Sequence, residues 1–168
     1  MQENDPQHQP FLIIDDDPQF LAAIGASFRE LSGGRWTIRT ATNHSQALEH
    51  LKAQPMNLVV LDVEMPVMDG VEFLRLLGRT HPGQQVVMLS ERMEETARQT
   101  CLDLGAILFL AKPSSPEDFH DLFITLDSLA TARSASGFRG VMQQVGLDDV
   151  LQMECLARKS SILKVTTG

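Results

Sequence analysis

Four apolar runs of the sequence end in residues that could do chemistry. "FLIIDDDP" closes on Asp15, Asp16 and Asp17, "NLVVLD" on Asp62, "QVVMLS" on Ser90, and "ILFLAKP" on Lys112. Adjacent carboxylates repel one another, and burying one without a partner is costly. Several of them around one point make sense if a hard divalent cation sits among them. Mg²⁺ takes oxygen ligands at about 2.0–2.1 Å, keeps several waters and usually borrows a further oxygen from a phosphate. A carboxylate such as Asp62 can itself receive a phosphoryl group and become an aspartyl phosphate. The transferred group carries charge on its equatorial oxygens, which the metal and a cation such as Lys112 would stabilise. The Ser90 hydroxyl would then donate to a phosphoryl oxygen. Taken singly, each residue has a bland explanation: an acid at a strand end is commonly a helix cap, and a lone Ser or Lys is commonly a solvated loop residue. The required type at all four ends together is what carries the reading.

Those residues converge only if the elements bearing them are parallel. "FLIID" reads as a buried strand, and Pro18 suits the first turn of a helix capped by Asp17. That helix places Phe20, Leu21, Ile24, Phe28 and Leu31 on one face and ends at "SGG". "WTIRTA" alternates as a strand, and "NHSQALEHLKAQ" follows as a helix with Asn43 as cap. "NLVVLD", "QVVMLS" and "ILFLAKP" read as three further buried strands. The loop "VEMPVMDG" opens into the helix "VEFLRLLGRT". "EETARQTCLDLG" is a helix ended by Gly105, and "SPEDFHDLFITLDSLA" is the last. Strands alternating with helices imply right-handed crossovers and an α/β, doubly wound five-stranded parallel sheet, with its functional crevice beyond the carboxyl ends of the strands.

The totals narrow the alternatives. At 168 residues and 43% apolar composition the chain holds one domain and a modest extra piece, and no apolar run is long enough to span a bilayer. No signal peptide is apparent, and Cys101 and Cys155 read as reduced thiols, which together predict a cytoplasmic protein. Residues 1–132 carry nine basic and nineteen acidic side chains, and residues 133–168 five and three, so direct DNA binding by this chain is not expected. The five histidines share no metal-ligand spacing, and Met65, Met68, Met88 and Met93 read as core or loop packing.

"IIDDDP", "LDVEMPVMDG", "MLS" and "LAKP", in this order and spacing, resemble the receiver domain of two-component response regulators, over about residues 10–132. The resemblance implies the flavodoxin-like strand order 2-1-3-4-5, which receivers illustrate. It implies that Asp62 accepts a phosphoryl group from a sensor histidine kinase or phosphotransfer protein, assisting its own phosphorylation and dephosphorylation without being an enzyme on another substrate. Asp16, Asp62 and the backbone carbonyl of Glu64 would hold Mg²⁺, with Asp15 acting mainly through a coordinated water. Ser90 and Lys112 would contact the phosphoryl group, and Ser90 and Phe109 would form the switch. The output would be contact with an effector partner protein, made on the face of the fourth and fifth helices and the fifth strand. The resemblance also implies a cis peptide before Pro113.

Three positions depart from the receiver pattern. Glu91 follows Ser90 where a small residue is general, and would either shield the acyl phosphate from water or repel the phosphoryl donor. Phe109 lacks the hydroxyl of a switching tyrosine. Ser114 follows "KP" where an apolar residue is commoner, which predicts a looser start to the last helix. Residues 1–9 read as a flexible tail and 133–140 as a linker. Residues 141–168 read as a C-terminal helix–strand extension resembling the opening of a PATAN-type effector domain ("GLDDVLQMECLARKSSILKV"). Too short to bury a core unaided, that segment would cover itself on the receiver or in a homodimer. Two other functions remain: a haloacid-dehalogenase-like phosphohydrolase, since "DDDP" contains Asp15-x-Asp17, and a receiver scaffold that works without phosphorylation.

Overall fold

In the computed structural model, which describes residues 8–136, apolar runs and amphipathic stretches alternate as β1 Gln9–Ile14, α1 Pro18–Leu31, β2 Trp36–Ala41, α2 His44–Ala53, β3 Leu58–Asp62, α3 Gly70–Thr80, β4 Val86–Ser90, α4 Glu95–Asp103, β5 Leu108–Ala111 and α5 Pro116–Ser136. The strands form one five-stranded parallel sheet in the order 2-1-3-4-5. The register aligns the ends that matter: Ile14 pairs with Leu61 and with Ala41, Asp62 with Leu89, and Ser90 with Ala111. Asp15, Asp62, Ser90 and Lys112 therefore leave the sheet along one edge.

The chain divides into two compact units after Lys112. In the first, alternate strand residues serve opposite faces, as a pleated strand requires. Leu12, Ile14, Val59, Leu61, Val86, Met88 and Phe109 bury against Ala47 and Leu51 of α2, Phe73, Leu74 and Leu77 of α3, and Cys101 of α4. On the other face Phe11 stacks on Trp36 with ring centroids 3.8 Å apart, and Phe28 of α1 meets the same indole edge-on at 5.6 Å. Each fully buried large side chain of this kind contributes about 1.5–3 kcal/mol over leaving it in water. Met65 and Met88 are buried as expected, whereas Met93 is exposed.

Several boundaries differ from the sequence reading. β1 begins at Gln9, within the stretch read as a tail, because the Gln9 N–H donates to the Arg35 carbonyl (3.0 Å) and draws the strand back along β2. The second unit contains α5, whose Leu122, Phe123, Leu126 and Ala130 are buried. α5 runs to Ser136 rather than stopping at Ala130, since "TARSAS" holds no breaker. Its start is tight, contrary to the expectation for Ser114. Asp118 Oδ2 accepts the N–H groups of Ser114 and Ser115 (each 3.0 Å) and the Ser114 hydroxyl (3.2 Å), and the Asp118 N–H returns a bond to the Ser115 hydroxyl (3.2 Å). This reciprocal cap occupies the donors that a helix start leaves open. No peptide bond among the described residues is cis, so the bond before Pro113 is trans, the isomer favoured by about 0.5–1 kcal/mol even before proline. The extension at 141–168 lies outside the described residues.

The loop between β3 and α3 is held at Gly70. Its N–H donates to the Val63 carbonyl (2.9 Å), and a Cβ placed there would fall 2.1 Å from the Asp62 carbonyl oxygen. Asp69 caps α3 by accepting the Glu72 N–H at 2.8 Å. At the tip Val67 is 98% exposed and adopts φ +72°, a conformation whose steric cost no burial offsets. Val67→Asn, which tolerates positive φ, is expected to raise stability by about 1 kcal/mol, or a few degrees in Tm. A thermal melt with unchanged or lowered Tm would contradict that assignment of strain.

Candidate acidic site at the strand ends

The three consecutive aspartates have three different fates. Asp15 is buried, and its Oδ1 accepts the Asp17 N–H at 2.9 Å. Asp16 is exposed on the rim. Asp17 caps α1, accepting the Gln19 N–H at 2.9 Å, with Pro18 in the first turn, so the expected cap is present. The bond from Asp17 to Asp15 ties the start of α1 to the floor of the site. One helix start thereby positions both neighbouring acids.

Asp62, at the end of β3, brings a third carboxylate to the same place. Oxygens of Asp15, Asp16 and Asp62 all lie within 4.8 Å of one another. Lys112 reaches them from the end of β5, its Nζ 2.5 Å from Asp15 Oδ2 and 3.9 Å from Asp62 Oδ1. Its side chain is 12% exposed, and those of Asp15 and Asp62 are 1% and 3% exposed. Asp62 Oδ1 is buried with no hydrogen-bond partner.

This geometry sets the proton affinities. Burial, then the charge of Asp15, pushes Asp62 up to about 7, against the pull of Lys112 and of the Glu64 N–H. Burial also raises Asp15 above the usual carboxylate value, opposed chiefly by its bond to Lys112. For Lys112, burial disfavours the charge, but the hydrogen bond to Asp15 and the charges of Asp62, Asp15 and Glu91 outweigh it and hold the ammonium above its ordinary value. Among the described residues, Lys112 alone does not neutralise the three carboxylates. An oxygen-seeking divalent cation fits this set: three carboxylates, one buried oxygen without a partner, and an exposed acid at the entrance.

The remaining predicted residues lie on or next to β3, β4 and β5. Ser90 is buried at the end of β4, its hydroxyl donating to the Arg92 carbonyl (2.6 Å) and accepting the Arg92 N–H (3.0 Å). Glu64 follows Asp62 by two residues, and its exposed carboxylate pairs with Arg92 at 3.7 Å. Glu91 is exposed beside Ser90, and Phe109 is 2% exposed in the core. Two contacts were missed in the sequence. Phe20, assigned to the buried face of α1, is only half-buried, and the Lys112 Nζ lies 4.4 Å from its ring centroid. The close approach of Gly70 to the Asp62 backbone is the other. An aromatic residue in the first turn of a helix that starts at the acids was the available signal for Phe20.

The Asp62 value has a consequence for stability. Its carboxyl titrates near 3.8 when unfolded and near 7 in the fold, so the native state binds the proton more tightly. The resulting stabilisation is full below the unfolded value and is lost as pH rises through 7. Without divalent cations, Asp62→Asn is therefore expected to stabilise the protein more at about pH 8 than at about pH 5, by roughly 1–3 kcal/mol. Equal effects in denaturant unfolding at both pH values would contradict this electrostatic picture.

Comparison with known proteins agrees with this geometry. The response regulator receiver domain family matches residues 11–124. The protein-glutamate methylesterase/protein-glutamine glutaminase of Geobacillus kaustophilus (strain HTA426) is 38% identical over 120 residues, which cover 70% of this chain and 34% of that protein. The second such enzyme of Saccharophagus degradans is 34% identical over 157 residues, 86% of this chain and 44% of that protein. The chain thus spans between a third and a half of the length of these two relatives. Among solved structures, a CheY-like receiver domain protein from Methanospirillum hungatei JF-1 has TM-score 0.66 at 23% identity, covering 76% of this chain and 98% of its own. A Francisella response regulator receiver domain has TM-score 0.65 at 24% identity, covering 74% and 98%. These likenesses establish the fold. Together with the family match, they place this chain in the response regulator receiver domain family of two-component signalling.

Proposed function

We propose that Asp62 accepts a phosphoryl group from a sensor histidine kinase or phosphotransfer protein, and that this switches protein–protein contacts. The observation that carries the reading is the Asp62 carboxylate: buried at a strand end, one oxygen without a partner, and Lys112 3.9 Å away. Asp62 Oδ attacks phosphorus, and the bond from phosphorus to the donor breaks, its electron pair leaving with the donor. Asp16, Asp62 and the Glu64 carbonyl would hold Mg²⁺, with Asp15 acting through a water. Bound Mg²⁺ would supply charge neutralisation on the phosphoryl oxygens. Lys112 supplies a second positive charge. The Ser90 hydroxyl gives up its bond to the Arg92 carbonyl and donates to the phosphoryl group, vacating space toward which the Phe109 ring can shift.

The family match sets the phosphohydrolase alternative aside. The chain spans only 34% of the Geobacillus kaustophilus methylesterase, so the activities in that name stay with that protein. No helix among the described residues is long and apolar enough to cross a membrane, which supports the proposed cytoplasmic setting. We propose that residues 141–168 open a PATAN-like effector segment acting through an effector protein or a homodimer, on the resemblance carried by "GLDDVLQMECLARKSSILKV".

The test is intact mass after incubation with Mg²⁺ and acetyl phosphate. One phosphoryl adduct is expected on the wild type, and none on Asp62→Ala or with metal chelated. An adduct of equal extent on Asp62→Ala would remove Asp62 from the role.

A further inference from the structure

From the placement of its ring we infer that Phe20 is a positioning residue for Lys112, an aromatic seat that keeps the ammonium beside Asp62 once a divalent cation has taken the carboxylates. The inference rests on the reading of Asp62 as phosphoacceptor and adds a residue to that site. Among the described residues, Lys112 Nζ lies against Asp15 Oδ2, Asp62 Oδ1 and the face of Phe20, 4.4 Å from the ring centroid. The first two are anions that a cation at the site would also claim. The third is an uncharged quadrupole, and its attraction for an ammonium is greatest where water is excluded. The 12% exposure of the Lys112 side chain places it in such a setting.

A cation among Asp15, Asp16 and Asp62 would weaken the hold of Asp15 on Lys112 and repel the ammonium directly. Lysine is a compact charge on a flexible four-carbon stem, so without another partner it would swing toward water. Phe20 supplies that partner from a fixed point. It stands in the first turn of α1, whose start is set by Asp17, and the Asp17 N–H is in turn bound by Asp15. The seat and the carboxylate that Lys112 leaves are thus built on the same helix start. Lys112 needs to move only slightly from one to the other, while Nζ stays within reach of charge developing on Asp62.

The experiment combines a spectroscopic and a kinetic readout on the full chain. Protons above a ring face resonate upfield, so the Lys112 ε-methylene of the wild type is expected upfield and to stay there at saturating Mg²⁺. The shift is expected to vanish in Phe20→Leu and to survive in Phe20→Tyr, which keeps the ring. Phosphorylation by acetyl phosphate at saturating Mg²⁺ is expected to slow roughly three- to tenfold in Phe20→Leu, with the half-saturating Mg²⁺ concentration unchanged, and to remain near wild type in Phe20→Tyr. In a Lys112→Ala background Phe20→Leu is expected to cost nothing further. An ε-methylene that moves to its solvent position on adding Mg²⁺ would overturn the seat, as would a Phe20→Leu rate equal to wild type. No phosphoryl adduct on the wild type would instead sink the phosphoacceptor reading, and the shift alone would then decide the role of Phe20.

Discussion

The structure turns on a local excess of negative charge that folding cannot avoid. Asp15 and Asp62 are buried within reach of one another and of Asp16, and one ammonium stands against them. Burial raises the proton affinity of such a carboxylate, and the like charge of Asp15 adds to the effect, which is why Asp62 is pushed up to about 7. Such a site is unfavourable alone and becomes favourable when positive charge arrives. A divalent cation supplies part of that charge. The arrangement is therefore best understood as a receptor for positive charge.

Everything that holds this corner is backbone geometry fixed by small local features. Parallel register brings the ends of β1, β3, β4 and β5 to one edge, so residues distant in sequence become neighbours. Asp17 spends its carboxylate on the helix cap and its N–H on Asp15, coupling α1 to the site. Gly70 lets the loop after β3 close directly on the Asp62 carbonyl, an approach no side chain would permit. Ser90 is held by the backbone of Arg92, whose side chain reaches Glu64 across the mouth. Ser90 is thus linked through exposed Arg92 to Glu64, in the loop that follows Asp62.

Much of this was legible in the sequence, and the reason is periodicity. The runs "FLII", "LVVL" and "VVML" are buried on both faces and hence continuously apolar, as "LFL" nearly is, which marks parallel strands and makes their polar ends stand out. The strand order was legible only through the resemblance to receivers, since pattern alone does not rank non-sequential neighbours. What escaped was anything decided by side-chain direction. Phe20 fits the helical stripe of α1 but is only half-buried, and its ring meets Lys112. The start of α5 is tight despite Ser114 because Asp118, four residues on, accepts both its N–H and its hydroxyl, a pairing no hydrophobic pattern displays. The switch from strand to loop at Asp15 likewise depends on a hydrogen bond two residues long, too local for a hydrophobic pattern to reveal.

The central claim is that the acidic corner is a divalent-cation site governed by Asp15, Asp16 and Asp62. Calorimetric titration of Mg²⁺ into the wild type and into Asp16→Ala tests it most directly, because Asp16 is exposed and its truncation leaves the buried pair and the core untouched. The account predicts one cation bound per chain by the wild type, and binding at least roughly tenfold weaker in the variant, about the loss of one charge-bearing ligand. Absence of binding to the wild type, or equal affinity in the two proteins, would contradict it.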